Sequence, residues 1–308
     1  MNDSMPRRAR VPIAAMLALW FAVVAAPAVA VAKPFDPARL PAAAEGVGHF
    51  DVDASRKTQQ IAALEVLANT NEAANRLPAE HRPLIQHLLT HTRSVSFWID
   101  DDDRGAMIWE TSEPGKLDVV LDGLGDQKPI TVGTVKGRRF DKGDEQTFVA
   151  RVGELFVLAD DEASMAQTID VLQSRSKSLA GHKSLTASRT PGVFFFAALD
   201  DQLLEKVSQS AQSATLKSEL SSFAMTIAEV NAELRANATA DVATEAGAQQ
   251  IKSVVEGVRA LAALSDDAKQ FAPLLDKLQI TVKGKRIDVA MAIPSRELIK
   301  LLKAAANP

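Results

Sequence analysis

The chain has 308 residues, enough for one large domain or for two domains of about 150 residues each. Hydrophobic residues make up 46% and charged residues 24%, which is typical of a globular protein and excludes collagen-like and low-complexity chains. The absence of cysteine excludes disulfides, thiolate metal sites and cysteine nucleophiles, and a net charge of −4 gives no sign of nucleic-acid binding.

The first 32 residues have the features of an export signal. Arg7, Arg8 and Arg10 precede an uncharged run over 11–32, which ends in small residues that fit the A-x-A cleavage pattern. We therefore expect a signal peptide over 1–32 and a periplasmic or secreted mature protein. An uncleaved anchor is the alternative, since a run of this length could cross a bilayer.

The segment after the signal predicts a leader and then a first strand and helix. Residues 33–46 contain three prolines and show no periodicity, which favours an extended leader. Residues 47–52 alternate as a short strand, and Asp53 is placed to cap the helix that follows. A second helix is expected to end near residue 91.

The rest of the first half, residues 47–173, begins with a clear β-hairpin. Residues 94–99 and 106–111 alternate apolar and polar side chains on either side of an aspartate-rich turn. The elements expected after it are a helix over 114–124, a strand over 130–135, a basic turn at 136–139, strands over 147–150 and 154–159, and a helix that starts at Asp160 or Asp161.

Residues 174–191 are rich in Ser, Lys and Gly and predict a linker, after which residues 192–308 form a second half. The elements expected there are a strand over 193–199, a helix that starts at Asp200, a hairpin over 223–229 and 233–240, a helix over 244–263, a hairpin over 278–282 and 287–293, and a last helix that starts at residues 294–295.

Both halves have the order strand, helix, hairpin, helix, hairpin, helix. Residues 48–62 also match 193–207, and residues 130–140 match 280–287. These matches predict an α+β fold of two similar halves, each with mostly antiparallel hairpins packed against helices. The alternative is chance similarity, because any α+β chain offers some matches of this kind.

Three stretches resemble a loose class of uncharacterised exported bacterial proteins with duplicated α+β halves. They are LPAAAEGVGHFDVDA (40–54), FVARVGELFVLADDEASMAQTIDVL (148–172) and LDKLQITVKGKRIDVAMAIPSRELIKLL (275–302). The resemblance covers most of the mature chain and implies export and duplication. Its motifs are structural, so it implies no functional residues.

His87 and His91 are the candidate metal ligands. Residues four apart project from one face of a helix, a spacing that suits two imidazole ligands. No glutamate follows His87, so the zinc-protease pattern is absent, and a solvated helix end is the alternative. His81 could join the pair only if the bend at Pro83 allowed it.

Trp98, Trp109 and Phe195 are the candidate ligand-binding residues. The two tryptophans are expected to face each other across the first hairpin, and Phe195 lies in the apolar strand over 193–199. Such side chains could line a pocket for a lipid or another apolar ligand, or could simply be core. Because Trp98 lies opposite its apolar strand neighbours, either both sheet faces are covered or Trp98 marks a contact surface.

The sequence lacks the G-x-S-x-G, Walker and dinucleotide-binding patterns, which favours binding over catalysis. We expect an exported, non-enzymatic protein without a cofactor that holds an apolar small molecule or a protein partner between its halves. Nucleic acid is not an expected partner, and membrane contact is expected only through an uncleaved signal. Two alternatives stay open: a hydrolase with Ser, His and Asp from distant positions, and a metal-binding protein that uses His87 and His91.

Overall fold

The computed structural model describes residues 34–59, 82–100, 102, 104–124, 127–142, 145–181, 185, 193–200, 220–264 and 272–306. The expected signal peptide over 1–32 lies outside these residues. The helix expected after Asp200 also lies outside them, and so does most of the helix expected after Asp53.

In the described part of the chain, twelve strands form one continuous antiparallel sheet, in the order β11-β12-β10-β9-β8-β1-β2-β3-β7-β6-β5-β4. The protein is therefore a mixed helix and sheet fold dominated by antiparallel pairing, as expected. The strands are β1 (Gly46–Asp51), β2 (Thr92–Ile99), β3 (Gly105–Thr111), β4 (Gln127–Val132), β5 (Val135–Lys142), β6 (Glu145–Val152), β7 (Leu155–Ala159), β8 (Val193–Asp200), β9 (Leu220–Val230), β10 (Glu233–Val242), β11 (Gln279–Lys283) and β12 (Arg286–Pro294).

Helices lie on both faces of this sheet, so the described part has a core on each side. The α-helices described are α1 (Val52–Ser55), α2 (Arg82–His91), α3 (Pro114–Asp122), α4 (Glu162–Leu172), α5 (Glu245–Leu264), α6 (Ala272–Leu275) and α7 (Ser295–Ala306), with two short 3-10 helices at Pro37–Arg39 and Leu179–Gly181.

Tight turns with a glycine in the left-handed region join three of the hairpins. Gly133, Gly153 and Gly284 have φ values of 60°, 64° and 59°, as the first position of a type II′ turn requires. The turn predicted at 136–139 is wrong, because Gly133 closes that hairpin and residues 136–139 lie in β5.

Helices α1 and α4 are capped by aspartates that lie at or just after the end of the preceding strand. Asp161 accepts a hydrogen bond from the backbone N–H of Ser164 at 2.8 Å and caps α4. Asp53, the predicted cap of the first helix, is instead inside α1 and pairs with Arg56 at 3.0 Å. Asp51 caps α1, two residues before the expected cap, because β1 ends at Asp51 and not at residue 52.

The two sheet faces carry different cores in the first half. On the α4 face, Trp98 and Phe196 pack with Met165 and Ile169 of α4. On the α3 face, Trp109 packs with other strand side chains and with α3. Helix α5 covers β10, β11 and β12 in the second half, on the same face as α3 by the strand register.

The predicted leader and linker both contribute to the α4-face core. Phe35 and Leu40 of the leader are buried, and so are Leu179 and Leu185 of the linker. The two segments also hydrogen-bond to each other, since the N–H of Leu179 donates to the carbonyl of Leu40 at 3.0 Å. The leader is therefore not simply extended. The prolines of the leader and the serines of the linker interrupt the hydrophobic periodicity, yet both segments contribute side chains to the core.

Candidate functional site

Trp98 and Trp109 lie on opposite faces of the sheet, so the prediction that they face each other is wrong. The turn between β2 and β3 pairs Trp98 with Ala106 and Trp109 with Val95. Because Val95 and Trp98 are three positions apart on one strand, their side chains point to opposite faces. The turn length sets this register, and the alternation within each strand does not reveal it.

Both tryptophans are core residues with satisfied indole groups. Trp98 is 1% exposed, and its Nε1 donates to Thr168 Oγ1 on α4 at 2.9 Å. Trp109 is also buried, and its Nε1 donates to Thr92 Oγ1 at 2.9 Å. Of the two alternatives for Trp98, an exposed contact residue is therefore wrong, because α4 covers the sheet face on which Trp98 lies.

His87 and His91 lie side by side at the end of α2, with ring centroids 4.9 Å apart. His87 is buried and its Nε2 lies 2.9 Å from Thr111 Oγ1. The hydroxyl of Thr111 donates its single proton to the carbonyl of His91 at 3.1 Å. Nε2 of His87 is therefore the protonated nitrogen, and Nδ1 is the one left to bind a metal.

Burial, with a smaller contribution from the neighbouring imidazole of His91, lowers the pKa of His87 from 6.5 to about 4. His87 is thus neutral at pH 7, the form that binds metals. Among the described residues, no group of three or more His, Cys, Asp or Glu side chains is placed to hold a metal ion. His81, the possible third ligand, lies outside those residues.

Phe195 belongs to a surface that the sequence analysis did not identify. It pairs with Phe50 of β1 on one side and with Ile227 of β9 on the other, all on the α3 face. Three such rows cross strands β2, β1, β8 and β9, and we call their twelve residues the apolar strip. The rows are Val95, Phe50, Phe195 and Ile227; Phe97, Gly48, Ala197 and Met225; and Ile99, Gly46, Leu199 and Phe223.

The apolar strip differs in burial from the reverse face of the same strands. Its large side chains are only partly buried, whereas residues such as Val47, Ser96 and Phe196 behind them are buried. Glycine and alanine occupy its centre. A Cβ at Gly48 would overlap the ring of Phe97, so that ring lies directly over the Gly48 backbone.

The strip lies at the junction of the two chain segments that form the sheet, between the α3 cluster and the α5 cluster. None of its twelve residues is charged. With about 4.8 Å between strands and about 6.8 Å between rows, twelve residues on one face cover roughly 400 Å² of the sheet. A standard protein interface needs about 800 Å² from each partner, so the strip's size suits a small molecule better.

A serine and a histidine meet on the reverse face. His49 Nδ1 lies 2.8 Å from Ser96 Oγ, and the two residues are opposite each other on β1 and β2. Both are buried, with Ser96 only 7% exposed. The hydroxyl that a hydrolase substrate would have to reach is therefore enclosed in the core.

The strand arrangement has a counterpart among solved structures. In its crystal form III, the protein TP0453 superposes with a TM-score of 0.50 at 11% sequence identity, over 90% of this chain and 100% of TP0453. The fold is similar to that of TP0453. Crystal form IV of TP0453 gives the same TM-score and identity, over 88% of this chain and 97% of that one.

The likeness to TP0453 concerns the fold alone, because the identity is too low to carry over residues or activity. No protein-family model matches the sequence. No curated protein matches it either. Within the described ranges, no helix is both long enough and apolar enough to cross a membrane.

The sequence contained a partial signal for the apolar strip. Residues 46–49 alternate glycine with larger side chains, and residues 95, 97 and 99 are apolar at every second position. Each pattern identifies one face of one strand. Only the long-range pairing of β1 with both β2 and β8 brings these faces together, and sequence alternation says nothing about that pairing.

Proposed function

We propose that this protein is exported and binds an apolar small molecule on the apolar strip, without catalysing a reaction. The observation that carries the proposal is the strip itself: large apolar side chains in register, only partly buried, around a centre of glycine and alanine. Its small area favours a small molecule over a protein partner. Export is supported by the arginine cluster and the uncharged run over 1–32.

We also infer that the sheet consists of two similar halves. The order β1-β2-β3-β7-β6 corresponds to β8-β9-β10-β12-β11, and α3 corresponds to α5 in the chain. The central pair β1 and β8 is antiparallel, as a two-fold relation between the halves requires. On this basis the match of 130–140 with 280–287 does not hold, since β11 and β12 correspond to β6 and β7.

Binding is tested with the neutral apolar fluorophore N-phenyl-1-naphthylamine on the exported protein. We expect saturable fluorescence enhancement for the wild-type protein. Ala197→Asp should weaken it by about tenfold or more, because a charge would then lie in an apolar contact surface. Val119→Asp is the matched control, since Val119 is an exposed apolar residue on α3 outside the strip.

Native mass spectrometry of the same sample gives a second readout. A mass above that of the mature chain, lost in the folded Ala197→Asp protein, would identify a ligand carried through purification. Wild-type protein that shows neither added mass nor saturable fluorophore binding would refute the proposed function. Equal binding by wild type and Ala197→Asp would place the ligand elsewhere and refute the strip as its site.

Metal binding by His87 and His91 is a second candidate, favoured by the proximity of their rings and by the neutral state of His87. It predicts that zinc is retained through dialysis by the wild-type protein and lost when both residues are changed to alanine. Unchanged retention in the double variant would eliminate this pair as the ligands.

A further inference from the structure

The two outer strands of the sheet differ in their capacity to pair. Strand β4 contains Pro129, which has no N–H to donate, and the exposed Lys128. Strand β11, Gln279–Lys283, has no proline and no glycine. In the described part of the chain, β11 pairs with β12 alone. An outer strand of this second kind is a template for another strand.

The backbone groups that point away from β12 can be identified from the turn. The two-residue loop between β11 and β12 closes on the pair Lys283 and Arg286, which exchange hydrogen bonds. Hydrogen-bonded and non-hydrogen-bonded pairs alternate along an antiparallel ladder. Ile280 and Val282 therefore direct their N–H and C=O groups outward, and Thr281 directs its groups to β12.

We propose that β11 pairs with β11 of a second copy of this chain, antiparallel about a two-fold axis at Thr281. The outward groups then match: Ile280 exchanges two hydrogen bonds with Val282 of the second copy, and Val282 does so with Ile280. Thr281 lies opposite Thr281 of the second copy, and Gln279 lies opposite Lys283 of the second copy. Within the paired strands, β-branched residues and threonines lie opposite one another and no like charges meet.

The side chains under α5 add apolar contact to this pairing. Ile280 and Val282 are partly buried against the cluster that includes Ile287 and α5. Pairing of the two β11 strands brings the two clusters side by side and removes more of these side chains from water. Burial of apolar area is the main favourable contribution at such an interface.

Pro129 at the other end of the sheet makes a closed dimer the favoured assembly. If both outer strands could pair, β11 of one molecule would add to β4 of the next and an open fibre would grow. Pro129 interrupts the outer edge of β4, so only the two-fold contact between β11 strands is left. The corresponding first-half strand, β6, pairs on its outer side with β5 over six residue pairs.

The mass of the protein in solution tests the proposal. Sedimentation equilibrium of the wild-type protein should give twice the mass of the mature chain. Thr281→Lys should reduce it to one chain, because two ammonium groups would then face each other. Thr281 is exposed, so folding should be unaffected. Thr131→Lys is the matched control, because it changes the exposed threonine of the same Ile-Thr-Val sequence in β4 and should leave the dimer intact.

Cysteine crosslinking tests the register in a chain that has no cysteine of its own. In Thr281→Cys, the two sulfurs would belong to a non-hydrogen-bonded pair with Cα atoms about 4.5 Å apart, within disulfide range. Mild oxidation should give a covalent dimer, and Thr131→Cys should stay a single chain. A monomeric wild type, a dimer that survives Thr281→Lys, or equal crosslinking of both cysteine variants would each overturn the proposal.

Discussion

The imidazole of His87 couples the stability of the protein to pH. Its folded-state pKa is about 4, against 6.5 for the unfolded chain, because burial disfavours the charged ring. As the pH falls below 6.5, the unfolded chain binds a proton that the folded protein does not yet bind. Stability from this group is therefore fully present above pH 6.5 and is lost as the pH falls towards 4.

We expect the free energy of unfolding to fall by about 2–3 kcal/mol more in the wild-type protein than in His87→Asn between pH 6.5 and pH 4. The measurement is urea unfolding of both proteins at several pH values. The carboxylates titrate in both proteins, so their contribution cancels in the comparison. Parallel pH profiles of the free energy of unfolding for the two proteins would contradict a lowered pKa of His87.

Substitution of Trp98 distinguishes a role of this residue in ligand binding from a role in the core. Trp98→Phe removes the hydrogen bond to Thr168 and part of a buried ring, and should cost about 1–3 kcal/mol of stability. Fluorophore binding should be unchanged, because Trp98 lies on the face opposite the apolar strip. Weakened binding by a fully folded Trp98→Phe protein would show that the strip is not the site.

Among the elements, helix α4 depends on a single capping carboxylate. Asp161 accepts hydrogen bonds from the N–H and the hydroxyl of Ser164. Asp161→Ala should therefore lower the free energy of unfolding by about 1 kcal/mol. Glu162→Ala removes a carboxylate of the first turn that does not cap the helix, and serves as the control. Equal losses from the two substitutions, measured by urea unfolding, would mean that charge rather than capping matters here.

Elements with a local cause were predicted from the sequence, and their pairing partners were not. The turns expected between 150 and 154 and between 282 and 287 are present at Gly153 and Gly284, because a tight turn needs a left-handed residue at that point. The turn predicted at 136–139 is wrong because Gly137, a residue type typical of turns, lies inside a strand. Its role is close packing in β5, where a Cβ would lie 2.7 Å from the carbonyl oxygen of Val149.

The candidate site shows the same division between local and long-range information. The adjacency of His87 and His91 follows from helical spacing and was predicted. The apolar strip was not, except for Phe195, because it joins four strands from distant parts of the chain. Alternation assigned Val95 to one face of β2, but the partners of that face are set by the pairing of β1 with β8.

At the scale of the whole molecule, the continuous sheet predicts a single cooperative unfolding transition. Trp98 and Trp109 both lie in the first half, and the third tryptophan, Trp20, lies in the expected signal peptide. Tryptophan fluorescence of the mature chain thus reports on the first half, whereas far-UV circular dichroism reports on both. We expect the two signals to give coincident urea transitions. Separate transitions would mean that the pairing of β1 with β8 is lost first and that the two halves of the chain then unfold independently.

The burial of the leader also bears on the timing of folding. On the proposed export route the N-terminal end crosses the membrane first, and Phe35 is among the first residues to arrive. Its ring packs against Phe196 with centroids 5.1 Å apart, and Leu40 is tied to Leu179. These partners cross the membrane much later, so the first exported residues stay unburied until more than half of the chain has been exported. A chaperone on the far side of the membrane would therefore have to bind this N-terminal segment for longer than any later one.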